Sequence, residues 1–222
     1  MSPATLELPA ARPGNGRGRP PLPPPGGGGR PDREPAPRPP LLDNVRLAML
    51  FLIAGELMFF GGLVSAFFVL RTAAPVWPPP LQPRLPLGVT GVNTLVLLAS
   101  SATMAVALRA MRRGDGPALV QRLAVTVGLG ALFLLVQGYE WTRLIHHGLT
   151  LASGAYGATF YTLIGTHAAH VLGALVWLAV TTALAARGGF LDDRTGTLRA
   201  CAMYWHFVVA LWPALYLAVY LI

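Results

Sequence analysis

The sequence predicts an all-α membrane protein, a bundle of five transmembrane helices preceded by a disordered Pro/Gly-rich tail. Three observations lead there. Hydrophobic residues make up 54% of the 222 and charged residues only 12%, about half the charge of an average soluble domain. The mean hydropathy is +0.54. Past Pro40 the apolar residues collect in five runs, near 46–70, 88–108, 123–145, 156–186 and 201–222. Each run supplies the roughly 20 residues that a helix needs to cross the hydrocarbon.

The first forty residues are a different material. They hold 13 prolines and 7 glycines, and such a segment cannot bury enough apolar surface to offset the entropy of ordering it. A disordered tail is expected, with LPPP and PRPP as candidate polyproline II ligands. It has no apolar core of signal-peptide type, so no cleavage is expected there. Residues 41–222 then form the membrane domain. WPPPLQPRLP (77–86) separates the first two spans, since its prolines forbid continuous helix. RRGDGP (112–117) separates the second pair and RGGFLDDRTG (187–196) the last. The fourth run is long enough to tilt or to project beyond the membrane. Pro213 should kink the fifth span by freeing the carbonyl of Val209.

Charge orients the bundle. Lys is absent, and the +8 net charge comes from arginines clustered between spans, which is topology rather than a nucleic-acid patch. Arg30, Arg33, Arg38 and Arg46 precede the first span; Arg71 and Arg84 follow it. Arg109, Arg112, Arg113 and Arg122 lie next, then Arg143 alone, then Arg187, Arg194 and Arg199. The alternation places the N-terminus in the cytoplasm and the C-terminus outside. Cys201 is the single cysteine and has no partner for a disulfide or a Cys-based metal motif.

The polar residues inside the spans are few. Glu56, in LIAGELMFF, is the only charge between Arg46 and Arg71. It lies ten residues past Arg46, about 15 Å along a helix, near mid-bilayer, where an acid is costly. It reads either as a protonated acid hydrogen-bonded to a neighbouring helix or as a proton-handling residue, and pairing with a histidine is the preferred explanation. Glu140, three residues before Arg143, reads as a snorkelling acid paired with an arginine or histidine. His167 and His170 are three apart and share a helix face. Two readings stand for them: hydrogen-bonded structural histidines, or metal or haem ligands, with His206 able to complete a set with Glu56. Gly165, Ala169 and Gly173 recur every four positions and, with Gly61 and Ser65, suit close helix packing. The residues alone define a bundle with buried acid and imidazole groups and leave its reaction open.

Five strings carry a resemblance. ELMFFGGLVSAFF (56–68), NTLVLLASS (93–101), QGYEW (137–141), SGAYGATFYTLIGTHAAHV (153–171) and MYWHFVVALW (203–212) resemble, in order, motifs of cytochrome c oxidase subunit III. WPPP after the first span is similar to actinobacterial-type members. The resemblance implies an accessory subunit of a haem-copper terminal oxidase in a bacterial plasma membrane, carrying no redox centre of its own. It implies haem and copper in partner subunits, packing against subunit I beside subunit II, and electrons arriving from cytochrome c or quinol through other subunits. It also implies bound phospholipid, support of proton uptake and protection from turnover inactivation. Glu56, Glu140, His167, His170 and His206 match the family's buried polar positions. The chain departs where Val209 replaces an Asp, Ser153 another Asp, Thr166 a Phe, Ala168 a Gly and Trp141 a Tyr. Five spans stand where seven are common, and the cleft lipid would then need closing by another element, such as helices of subunit I. Two alternatives remain: a nitric-oxide-reductase-associated relative, or a stand-alone membrane cytochrome or metal-binding protein built on His167, His170 and His206.

Overall fold

The computed structural model describes residues 44–80, 83, 85–188 and 195–221. The Pro/Gly-rich tail, Arg84 and Arg194 lie outside the described residues. The fold consists of α1 (Asn44–Ala73), α2 (Leu87–Arg112), α3 (Gly116–His146), α4 (Gly154–Ala186) and α5 (Thr195–Tyr216), with α5 running on into a π-helical turn at Leu217–Leu221. All five are long and apolar enough to cross a membrane.

Each helix starts or ends beyond its apolar run. α1 has 30 residues, about 45 Å of axis against roughly 30 Å of hydrocarbon. Hydropathy reads only the part immersed in lipid, whereas backbone hydrogen bonding continues into the arginine-bearing flanks. α3 shows the mechanism most clearly. It begins at Gly116 instead of 123 because Asp115 caps it, accepting from the Ala118 N–H at 3.0 Å, and Pro117 occupies the first turn. The preceding helix closes with Gly114 at φ +70°. The Asp115 N–H reaches back to the Ala110 carbonyl, and that of Gly114 to Met111, the paired bonds of a glycine-terminated helix. Gly148 ends α3 the same way, with Leu149 bonded back to Leu144.

α5 is the central helix, packed against α1, α2 and α4, while α2 pairs most extensively with α3. Its continuation through Pro213 avoids a break: the register widens to π one turn later, after the proline has withdrawn the donor for the Val209 carbonyl. At one end of the bundle Trp77 packs edge-on against Tyr156 and Phe67, and the Tyr216 hydroxyl donates to the Leu87 carbonyl at 2.9 Å. The opposite end gathers Arg46, Arg109, Arg112, Arg113, Arg122, Arg187 and Arg199, leaving Arg71 and Arg143 at the first.

The small residues sit differently from expectation. Gly61, Ser65, Ala169 and Gly173 lie on outward faces; a Cβ at Gly61 or Gly173 would meet nothing within 4 Å. Only Gly165 faces another helix, across from Trp141. The reason is that α4 buries Phe160, Leu163, Ile164, His167 and Val171, and the stripe at 165–169–173 runs along a different face. A close helix-to-helix approach is at Gly130 on α3, where a Cβ would lie 2.5 Å from the Trp205 ring. Gly130→Ala is therefore expected to lower stability by about 1–3 kcal/mol through overpacking, and Gly173→Ala to leave it unchanged. Denaturant unfolding of both variants in detergent checks the contrast; equal effects would contradict this packing.

Candidate functional site

The polar residues fall at separate places in the bundle, Glu56 with His170 between α1 and α4, His167 against α5, and His206 between α5 and α2. Glu56 on α1 and His170 on α4 form a pair, with Oε2 and Nε2 3.2 Å apart. The contact is close but off hydrogen-bond alignment. The other ring nitrogen, Nδ1, donates to the Thr166 carbonyl at 2.7 Å, because a carbonyl can only accept. That bond fixes the ring and leaves Nε2 for the carboxyl. The pair is neutral overall when it holds one proton, either as carboxylic acid and imidazole or as carboxylate and imidazolium. The two forms differ only in which partner carries the proton. Its side chains are 17% and 23% exposed, at the edge of a groove of about 440 Å³ lined by Phe51, Leu52, Gly55 and Phe59. Phe59 and Phe60 bracket the His170 ring.

His167 lies one turn away and is wholly buried. Its ring stacks on Trp212, with centroids 5.2 Å apart and planes at 23°, and meets the edge of Phe60. Neither of its nitrogens makes a hydrogen bond. His206 belongs elsewhere: its Nδ1 lies 2.6 Å from the Ser101 hydroxyl of α2. The set of Glu56 with all three histidines does not assemble, and among the described residues no three His, Cys, Asp or Glu side chains come together as a metal site requires. Glu140 is buried and reaches Arg143 at 3.5 Å, with the arginine half exposed. The acid hides its carboxyl while the arginine carries the charge outward.

A hydrogen-bonded seam joins α5 to α2. Trp212 Nε1 donates to Thr94 at 2.8 Å, Trp205 Nε1 to Ser100 at 3.2 Å, and His206 meets Ser101. With the Tyr216 bond they run along the antiparallel pair, from Tyr216 and Leu87 at one end to Trp205 and His206 against Ser100 and Ser101 at the other. Asn93 extends the network to α3 by donating to the Phe133 carbonyl at 3.0 Å. Gln137, Thr90 and Tyr220 cluster beside it. Sequence reasoning missed Thr94, Ser100, Ser101, Gln137 and Tyr220 as interior groups. The signal available was the facing of the NTLVLLASS and YWHF strings, each rich in small hydroxyls or ring donors.

Single interhelical hydrogen bonds in membranes average about 0.6 kcal/mol. Ser101→Ala and Thr94→Val should each lower unfolding stability by about that amount, with helix content retained by circular dichroism. Unfolding midpoints unmoved in both would show that the seam does not hold the helices together.

Comparison with known proteins meets this geometry. The family model for cytochrome c oxidase subunit III matches residues 38–222. The "Probable cytochrome c oxidase subunit 3" of Mycobacterium leprae is 36% identical over 179 residues, covering 80% of this chain and 88% of that protein. The cytochrome c oxidase subunit 3 of Corynebacterium diphtheriae is 34% identical over 182 residues, covering 80% and 88%. That of Sus scrofa is 33% identical over 184 residues, covering 80% and 69%. With the family match running the length of the bundle, from before α1 to the end of α5, the chain belongs to the cytochrome c oxidase subunit III family.

Proposed function

We propose that this chain is the accessory subunit III of a respiratory terminal oxidase in a bacterial plasma membrane, oriented with its arginine-rich end in the cytoplasm. It would pack against subunit I, with subunit II and the electron donor, cytochrome c or quinol, engaged elsewhere in the complex. Haem and copper would belong to the partner subunits. The observation that carries this reading is the Glu56–His170 pair at mid-span, held by the two helices that bear the E-L-M-F-F and T-H-A-A-H strings.

The pair can support turnover in two ways. As two adjacent bases, Glu56 and His170 would accept or release a proton at a depth where water is scarce. Its groove is apolar apart from the pair itself, so it suits a phospholipid acyl chain or a partner helix laid against α1. α1 is the helix least covered by its own chain, with Phe51, Leu57 and Met58 exposed. In a subunit meant to be enclosed by lipid and a larger partner, that exposure is expected. The small outward residues Gly61, Ser65, Ala169 and Gly173 would let such a neighbour approach closely.

Glu56→Gln keeps the shape and removes the titratable oxygen. The oxidase should still assemble with its full haem content, while activity during sustained turnover decays severalfold faster or phospholipid retention falls. Haem absorbance, phosphorus content and oxygen consumption on the same purified sample measure all three. Loss of haem from subunit I, or turnover and lipid both unchanged, would remove the pair from this role.

A further inference from the structure

Among the described residues, nine buried side-chain oxygen and nitrogen atoms make no hydrogen bond within the protein, and five of them fall in one place. They are Thr90 Oγ1 and Asn93 Oδ1 on α2, both amide atoms of Gln137 on α3, and the Tyr220 hydroxyl on the π-helical turn. All four side chains are more than nine-tenths buried. The pairing of α2 with α3 explains the grouping. Asn93 is bonded to the Phe133 carbonyl, and because the two helices run antiparallel, one turn further along brings Thr90 opposite Gln137. Tyr220 reaches both from a third side, and Glu140, one turn beyond Gln137, lies near it as well.

Such a cluster is not stable dry. A buried donor or acceptor left unpaired carries the full cost of its desolvation, and five together would rival the whole stability of a domain. The Asn93 amide nitrogen is committed to Phe133, so its oxygen is fixed and must find a donor on the spot. Water both donates and accepts and makes about three hydrogen bonds when buried, so about two molecules would serve the five atoms. The site also lies where water is at hand. Thr90 stands in the first turn of α2, and two pockets at that end of the bundle touch the cluster. One, of about 370 Å³, lies between Trp77, Leu87 and Tyr220. The other, of about 150 Å³, is lined by Glu140 with Pro83, Pro86 and Arg143. The π-helical turn that carries Tyr220 is itself a rare element that recurs at functional sites.

We propose that Thr90, Asn93, Gln137 and Tyr220 hold a small cluster of bound water between α2, α3 and the π-helical turn. The water is the hydrogen-bonding joint of the three elements at this end, and it extends the polar interior from Glu140 inward to Asn93. A cation is disfavoured, because the four groups are neutral and the nearby carboxyl of Glu140 already faces Arg143. The inference does not depend on the oxidase reading.

The test is radiolytic footprinting of the full chain in detergent and ¹⁸O-labelled water, with a radical scavenger in the bulk and modified residues mapped by mass spectrometry. Hydroxyl radicals made from bound water label the side chains that touch it. Tyr220 should be modified severalfold faster than Trp205, a reactive ring that is buried and bonded directly to Ser100. The Thr90→Val/Gln137→Leu double variant should bring Tyr220 down to the Trp205 rate. Circular dichroism checks that the variant keeps its helices. If it does not, Thr90→Val alone should lower Tyr220 labelling, and Thr182→Val, on the far part of α4, should leave it unchanged. Tyr220 labelled no faster than Trp205 would mean a dry, directly paired cluster and overturn the proposal. Labelling undiminished in the double variant, or in Thr90→Val where that variant decides, would place its source in the outer pocket and overturn it too.

Discussion

The seam between α2 and α5 is the constraint on which the rest of the bundle depends. In lipid the hydrophobic effect does not hold helices together, because the solvent is as apolar as the side chains. Something directional must set their registry. Here it is a series of ring and hydroxyl groups, Trp212, Trp205, His206 and Tyr216, each hydrogen-bonded to a hydroxyl or carbonyl on α2. A helix shifted by one turn would strand two indole N–H groups in hydrocarbon. With α5 so placed, Trp205 covers Gly130 on α3 and Trp212 lies against His167 on α4. Thus the seam also sets where the buried imidazole can be.

The two imidazoles of α4 show how one helix face yields two chemistries. Spacing of three puts His167 and His170 side by side, yet one turn of rotation separates a sealed interior from a groove edge. His167 is packed between aromatic rings and touches no charge. His170 is tethered through Nδ1 and presents its other nitrogen to an acid. The difference comes from what α1 and α5 place opposite each ring: Glu56 in one case, Trp212 in the other.

Much of this was legible in the sequence because the membrane imposes long-wavelength signals. Five apolar runs gave five helices, and the arginine clusters fell together at one end. The Glu56–histidine pairing was also accessible, since an acid at that depth has few affordable partners. What was hidden depends on rotation about helix axes. Spacing marked Gly165, Ala169 and Gly173 as a stripe without saying whether it faces inward, and α4 turns a bulkier face to the core. Gly130 gave no periodic signal at all. Helix starts at Asn44 and Gly116 were also obscured, because charged flanks end an apolar run but not a helix. The seam required knowing that α5 returns beside α2, a contact more than a hundred residues apart in the chain.

The turn between α2 and α3 carries a consequence of its own. Gly114 closes one helix and Asp115 opens the next, so nothing separates the two but a reversal of direction. These helices can enter the bilayer together as a hairpin, soon after they leave the ribosome. α5 is made last of the five, and it supplies the donors that lock α2 in place. Until then the hydroxyls of Thr94, Ser100 and Ser101 have only their own helix to bond to. Completion of the fold is thereby timed by synthesis itself: a nascent chain can thread four helices through the membrane and still lack the wedge that makes them one body.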